Sequence, residues 1–146
     1  MKEIVCSGAL FYSLATERFL FLHRTGNKSN VSWGLVGGTN ELKETPWEGL
    51  KREIQEEIGN VEYKKVVPLE SFVSNDNHFF FHTYLIVVDN EFIPTLNNEH
   101  DGYAWVSSAK WPKPLHHGLR NTLQNKTIQN KLSTIVEVLK VIDINE

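Results

Sequence analysis

The apolar positions of the first half of the chain fall in short β-rich runs. "EIVCSGALFYS" (3–13) and "RFLFLHR" (18–24), separated by the tight connection "LATE", read as two strands. "RTGNKSNVSWG" (24–34) is polar, rich in Gly and Asn, and reads as a loop leading into the short apolar piece "WGLVGG". A helix start follows: Thr45 is a good N-cap, Pro46 suits the first helical position, and Glu48 completes a capping box, with Gly59 as the matching stop. "EYKKVVPLESFVS" (62–74), the long apolar "HFFFHTYLIVVD" (78–89) and the shorter "GYAWVSS" (102–108) read as further strands. In the tail, Ile128, Leu132, Ile135, Leu139 and Ile142 recur at spacings of three and four, the stripe of an amphipathic helix docking on a core. Strands interrupted by one early and one late helix predict an α/β/α sandwich, a mixed β-sheet with a helix on each face.

Composition adds bounds. A chain of 146 residues, 40% hydrophobic and 23% charged, has the size and make-up of one globular domain, 1–146. A formal net charge of -3 and a pI near 6.1 predict no general attraction for nucleic acid or anionic lipid. The single cysteine, Cys6, excludes an internal disulfide and fits a cytoplasmic protein, with a buried small hydrophobe as its expected role. No apolar run approaches the roughly 20 residues of a membrane-spanning helix. The Asn-x-Ser/Thr triplets at Asn27, Asn30 and Asn125 are then expected to be incidental.

The early helix carries the chemistry. At about 100° per residue, Trp47, Leu50, Ile54 and Ile58 form one apolar stripe, and Glu53, Glu56 and Glu57 share an arc of roughly 100° bordering it. Carboxylates at i,i+3 and i,i+4 repel by a few tenths of a kcal/mol per pair, and they stand toward the helix C-terminus, the unfavourable end for negative charge. Arg52, four residues before Glu56, is expected to neutralise that one glutamate. Gly49 falls between the carboxylates on the wheel and costs about 1 kcal/mol relative to alanine, a cost expected where a metal or phosphate comes close. Two readings are open from the residues alone: a solvated acidic face, or hard oxygen ligands for one or more divalent cations.

Gly38, Glu44, Arg52, Glu53, Ile54, Glu56, Glu57 and Gly59, in the spacing G-x5-E-x7-R-E-I-x-E-E-x-G, resemble the signature of the Nudix hydrolases (Nudix box 38–60). "WGLVGG" resembles the approach to that signature, with Val36 where the family often has Pro and Asn60 where it usually has an apolar residue. The resemblance implies the Nudix fold and Mg²⁺- or Mn²⁺-dependent hydrolysis of a nucleoside diphosphate derivative. Adenine-containing substrates are expected: ADP-ribose, FAD or a diadenosine polyphosphate. It also implies that Glu53, Glu56 and Glu57 are metal ligands, that Arg52 orients a ligand, that Glu44 is structural, and that Gly37 and Gly38 let backbone approach metal or phosphate. A house-cleaning nucleoside triphosphate pyrophosphohydrolase and a non-catalytic nucleotide- or RNA-binding module are the alternatives. Three repelling carboxylates speak against the binding module.

Outside the box, Glu99 stands before a strand at a place where family members carry a further ligand or base. Arg24 ends the second strand and is a candidate phosphate contact. Trp33, Tyr103 and Phe80 are candidate base-stacking residues. His78 and His82 flank an apolar run, while His100, His116 and His117 are expected in loops, and no zinc-type spacing unites them. "WPKPLHHGL" (111–119) resembles a segment of phage-type Nudix enzymes, which makes His116 or His117 a candidate for the distal phosphate. The expected partner is a small-molecule nucleotide; a homodimer is compatible with the sequence.

Overall fold

The computed structural model describes residues 2–25 and 31–145, with side chains described through residue 142. The triplets at Asn27 and Asn30, and most of the predicted polar loop, lie outside the described residues.

The strands are β1 (Ile4–Ser13), β2 (Arg18–Arg24), β3 (Ser32–Gly34), β4 (Val36–Thr39), β5 (Lys65–Val73), β6 (Phe79–Val88) and β7 (His100–Ser107). The helices are α1 (Pro46–Ile58), α2 (His117–Gln124) and α3 (Lys126–Asn145). The strands join in one mixed sheet. Its path runs β3-β2-β1-β6-β5, with β4 paired to β1 and β7 to β2. The parallel pair β1/β6 is the spine: ten residues of β1 register with ten of β6, from Ile4↔Phe79 to Ser13↔Val88. Parallel strands covered on both faces read as near-continuous apolar runs, which accounts for "GALFY" and "YLIVV". β1 divides its other edge between β2, at Tyr12↔Phe19, and β4, at Gly8↔Gly37.

Strand alternation splits the core in two. Ala9, Phe11, Leu20, Leu22, Ile86 and Val88 face Leu50, Ile54 and Ile58 of α1. Leu10, Tyr12, Phe19, Phe21, Leu85 and Val87 face Leu123 of α2 and Ile128, Leu132 and Leu139 of α3. The predicted sandwich is therefore present, with one correction: the late layer holds two helices, not one. The break falls at Asn125, whose carboxamide accepts hydrogen bonds from the backbone N–H groups of Thr127 and Ile128 and so restarts the helix as α3. No described helix is long and apolar enough to cross a membrane.

Candidate active site

The carboxylate helix starts where the sequence places it. Thr45 Oγ1 accepts from the Glu48 N–H at 3.2 Å, and Glu48 Oε1 accepts from the Thr45 N–H at 2.8 Å, closing the capping box around Pro46. Two further groups brace this end. Asn40 Nδ2 donates to the backbone oxygens of Glu44 and Thr45, and the Ser7 hydroxyl donates to that of Pro46. Thr45→Ala is expected to lower stability by about 1 kcal/mol, the usual worth of such a cap. Unchanged thermal unfolding of that variant would show that the Thr45 cap does not set the helix start.

The apolar stripe of α1 anchors the helix, and this sets the carboxylates apart. Glu57, nearest the stripe, is 5% exposed; its Oε1 accepts from the Gly37 N–H at 2.8 Å. Burial is the main cause that pushes its proton affinity up to about 8. The neighbouring charges of Glu53 and Glu99 add to the effect; the Gly37 N–H and Arg24 oppose it. The Glu53 carboxyl is also pushed above the usual range, first by burial, with Arg52 opposing. Glu56, farthest round, has a side chain 54% exposed.

Arg52 does more than the sequence predicts. Its reach was expected to end at Glu56. The planar guanidinium instead fans across Glu44 at 2.8 Å, Glu53 at 3.0 Å, Glu56 at 3.2 Å and Glu41 at 3.4 Å, and donates to the Thr39 carbonyl at 3.1 Å. Five donors on one rigid fork make this possible. Glu44 is held below its usual range, chiefly by the Arg52 hydrogen bond, and also accepts from the Glu41 N–H. It thus ties the loop before α1 to the helix.

The glycines are explained by protein neighbours. A Cβ on Gly38 would stand 2.7–2.9 Å from the Glu53 carboxyl, so the strand backbone lies directly against that ligand candidate. Gly37 has φ +153° and presses on the β1 backbone. Gly49 corrects the sequence reading: a Cβ there would meet Asn40 Oδ1 at 2.2 Å, so glycine makes room for the bracing asparagine rather than for a metal or phosphate.

The connection from β6 to β7 comes to the same place. Thr95 N–H donates to the Ile58 carbonyl, and Asn97 Nδ2 donates to the Glu56 carbonyl and to Glu99 Oε2, at 3.3 and 3.2 Å. Glu99 is thereby held close enough for its charge to raise the proton affinity of both Glu53 and Glu57. Asn97 was not singled out from the sequence. Its signal was there in Asn-x-Glu: the Asn97 carboxamide oxygen accepts from the Glu99 N–H two residues on, an Asx-turn.

Of the other candidates, Arg24, exposed at the end of β2, lies near enough for its charge to oppose the rise at Glu57. Trp33 does not. It packs in the α2/α3 core and tilts against His23 at 4.9 Å, on the sheet face opposite α1. His116 and His117 are not loop residues: His116 is the N-cap of α2 and His117 its first residue, with Nδ1 3.2 Å from Arg120. Burial holds the His116 imidazole below its usual proton affinity, helped by the charges of Arg24 and His117. His100 likewise opens β7 and is buried. The strand extends two residues further back than its apolar run because β2 offers paired backbone up to Arg24. Tyr103 on β7 is 39% exposed.

As they stand, no three His, Cys, Asp or Glu side chains among the described residues are arranged to hold a metal ion. The chemistry of the donors nevertheless fits one. Glu53, Glu56, Glu57 and Glu99 are hard oxygen donors, and burial first, then the neighbouring carboxylates, raise the proton affinities of Glu53 and Glu57, both of which a bound cation would offset.

The α/β/α sandwich thus lays a carboxylate helix on one face of the sheet, with Glu57 buried and Glu53 and Glu99 beside it. The NUDIX domain model matches residues 6–126, and the chain belongs to the Nudix family. It is 31% identical over 117 residues to the dihydroneopterin triphosphate diphosphatase of Haemophilus influenzae, covering 69% of this chain and 72% of that protein. Among solved structures it resembles the Nudix hydrolase RenU from M. smegmatis, with a TM-score of 0.70 at 18% identity over 92% of this chain and 87% of that one. It also resembles a C. elegans Ap4A hydrolase, with a TM-score of 0.68 at 18% identity over 90% and 98%. The chain is thus a pyrophosphohydrolase of a family that acts on small-molecule nucleotides with divalent metal ions.

Proposed function

We propose that this enzyme cleaves the pyrophosphate linkage of a nucleoside diphosphate derivative, adenine-containing, such as ADP-ribose, FAD or a diadenosine polyphosphate. The observation that supports the reading is Glu57: a carboxylate 5% exposed, its Oε1 on the Gly37 N–H, whose proton affinity burial and the charges of Glu53 and Glu99 push up to about 8, an imbalance that a divalent cation would relieve. Mg²⁺ or Mn²⁺ held by Glu53, Glu56 and Glu57 would neutralise the leaving oxygen and acidify the attacking water. The chain's own part is orientation. Arg52 aims Glu53 and Glu56, the Gly37 N–H aims Glu57, and Asn97 holds Glu99 as a further ligand or as acceptor of the water's proton. Arg52 is engaged by its carboxylates, so Arg24, whose charge acts on Glu57, is the candidate to meet substrate phosphate.

A second reading rests on the H. influenzae relative, whose name is that of an enzyme acting on a triphosphate. The test is product analysis after incubation with metal. On the first reading ADP-ribose gives AMP and ribose 5-phosphate, FAD gives AMP and FMN, and triphosphates are poor substrates. A nucleoside or pterin triphosphate cut to monophosphate and pyrophosphate with much higher kcat/KM would replace the first reading with the second.

A further inference from the structure

β2 and β7 fall out of step at their Arg24/His100 end, next to the loop that carries Glu99. From Arg18↔Ser107 to His23↔Gly102 the two strands pair residue for residue; then Arg24 stands opposite His100, so that Asp101 is an extra residue in β7, a β-bulge. The bulge is pinned through a side chain. His23 Nδ1 donates to Asp101 Oδ1 at 2.6 Å, since an ionised carboxylate can only accept. The other side of the His23 ring tilts against Trp33 at 4.9 Å, and Trp33 packs in the α2/α3 core.

The extra residue decides where Glu99 stands. Without it the register would set Asp101 opposite Arg24 and His100 opposite Thr25, and would carry Glu99 one residue, about 3.3 Å, further past the end of β2. Such a slip would also exchange the faces to which successive side chains point. With the bulge, the Thr25 N–H donates to the Glu99 carbonyl at 3.0 Å and the Thr25 hydroxyl to that of Asn98 at 3.2 Å. In that position Asn97 Nδ2 reaches both the Glu56 carbonyl in the last turn of α1 and Glu99 Oε2. We infer that Asp101, through its bond to His23, is a positioning residue: it holds the bulge, and the bulge sets how close Glu99 comes to the carboxylates of α1. The inference rests on the proposed metal role of those carboxylates. Asp101 has 55% of its side chain exposed, and exposed pairs contribute little to stability, so its loss should loosen the loop and leave the fold intact.

Mn²⁺ is the probe, because its unpaired electrons broaden the NMR signals of nearby amides with a steep dependence on distance. Titrated into the isotopically labelled full chain, it should broaden the amides of Glu53, Glu56 and Glu57 and also those of Asn97 and Glu99. In Asp101→Ala the broadening at Asn97 and Glu99 should be lost while that along α1 persists. The kcat of this variant, on the substrate that product analysis selects, should fall about tenfold, the scale of losing a group that orients a ligand. Asp101→Asn, whose carboxamide oxygen can still accept from His23, should restore both readouts. In a Glu99→Gln background Asp101→Ala should lower kcat no further, because the two act through one carboxylate. Broadening at Asn97 and Glu99 that survives in Asp101→Ala, an Asp101→Asn protein as impaired as Asp101→Ala, or losses that multiply in the double variant would overturn the inference and leave the proposed function standing. Wild type in which Mn²⁺ broadens none of the α1 amides would overturn that function, and the inference with it.

Discussion

Glu57→Gln is expected to lower turnover by about 10²- to 10³-fold, the scale of losing one electrostatic stabiliser, while making the metal-free protein more stable at pH 8. The fold should persist because a glutamine oxygen can still accept from the Gly37 N–H. The stability gain follows from the sign of the shift. The folded form binds a proton on Glu57 up to about pH 8, whereas an exposed glutamate releases it near 4.5. Folding therefore takes up a proton between those values. This contribution is complete below about 4.5 and is lost as pH rises through 8, at up to about 1.4 kcal/mol per pH unit. With chelator present, wild-type melting temperature should fall from pH 5 to pH 8 more steeply than that of Glu57→Gln. Adding Mg²⁺ at pH 8 should restore the wild type, since a ligand that binds only the folded state stabilises it, and should raise the melting temperature of the variant, which has lost one ligand, by less. Parallel pH profiles for the two proteins would refute the buried, proton-hungry carboxylate.

Gly37→Ala is expected to prevent stable folding, at a cost above about 4 kcal/mol. The added Cβ would stand 2.1 Å from the Ser7 carbonyl oxygen and 2.8 Å from the Gly8 Cα, both backbone atoms of the central strand, and the φ of +153° is itself strained for any other residue. Relief would require separating β4 from β1, which breaks the Gly8↔Gly37 register and withdraws the N–H from Glu57. Gly34→Ala is the control: a Cβ there meets nothing nearer than His116 Cβ at 4.0 Å, an ordinary contact. Soluble yield and thermal unfolding of the two variants decide the matter. A Gly37→Ala protein that unfolds like wild type would show that β4 does not lie against β1 as described.

The sequence by itself determined what depends on local chemistry and short periodicity. Thr45, Pro46, Glu48 and Gly59 mark the ends of α1 because unpaired backbone groups at helix ends are satisfied by neighbours in the chain. The two faces of the sandwich were legible in the alternation of β1 and β2, and the carboxylate arc in a spacing of three and four. The family was legible in that same spacing. The wheel puts Glu57 nearest the apolar stripe, but tertiary structure alone decided that it is buried, because β4 closes over it and offers the Gly37 N–H. It decided that Arg52 serves several carboxylates, because Glu41 and Glu44 arrive from a loop whose path no local rule specifies. It explained Gly49 by Asn40, and it turned His116 and His117 from loop residues into the start of α2. Trp33 fell on the face opposite the carboxylates because one step along a strand reverses a side chain, and only pairing with β2 fixes which step is which.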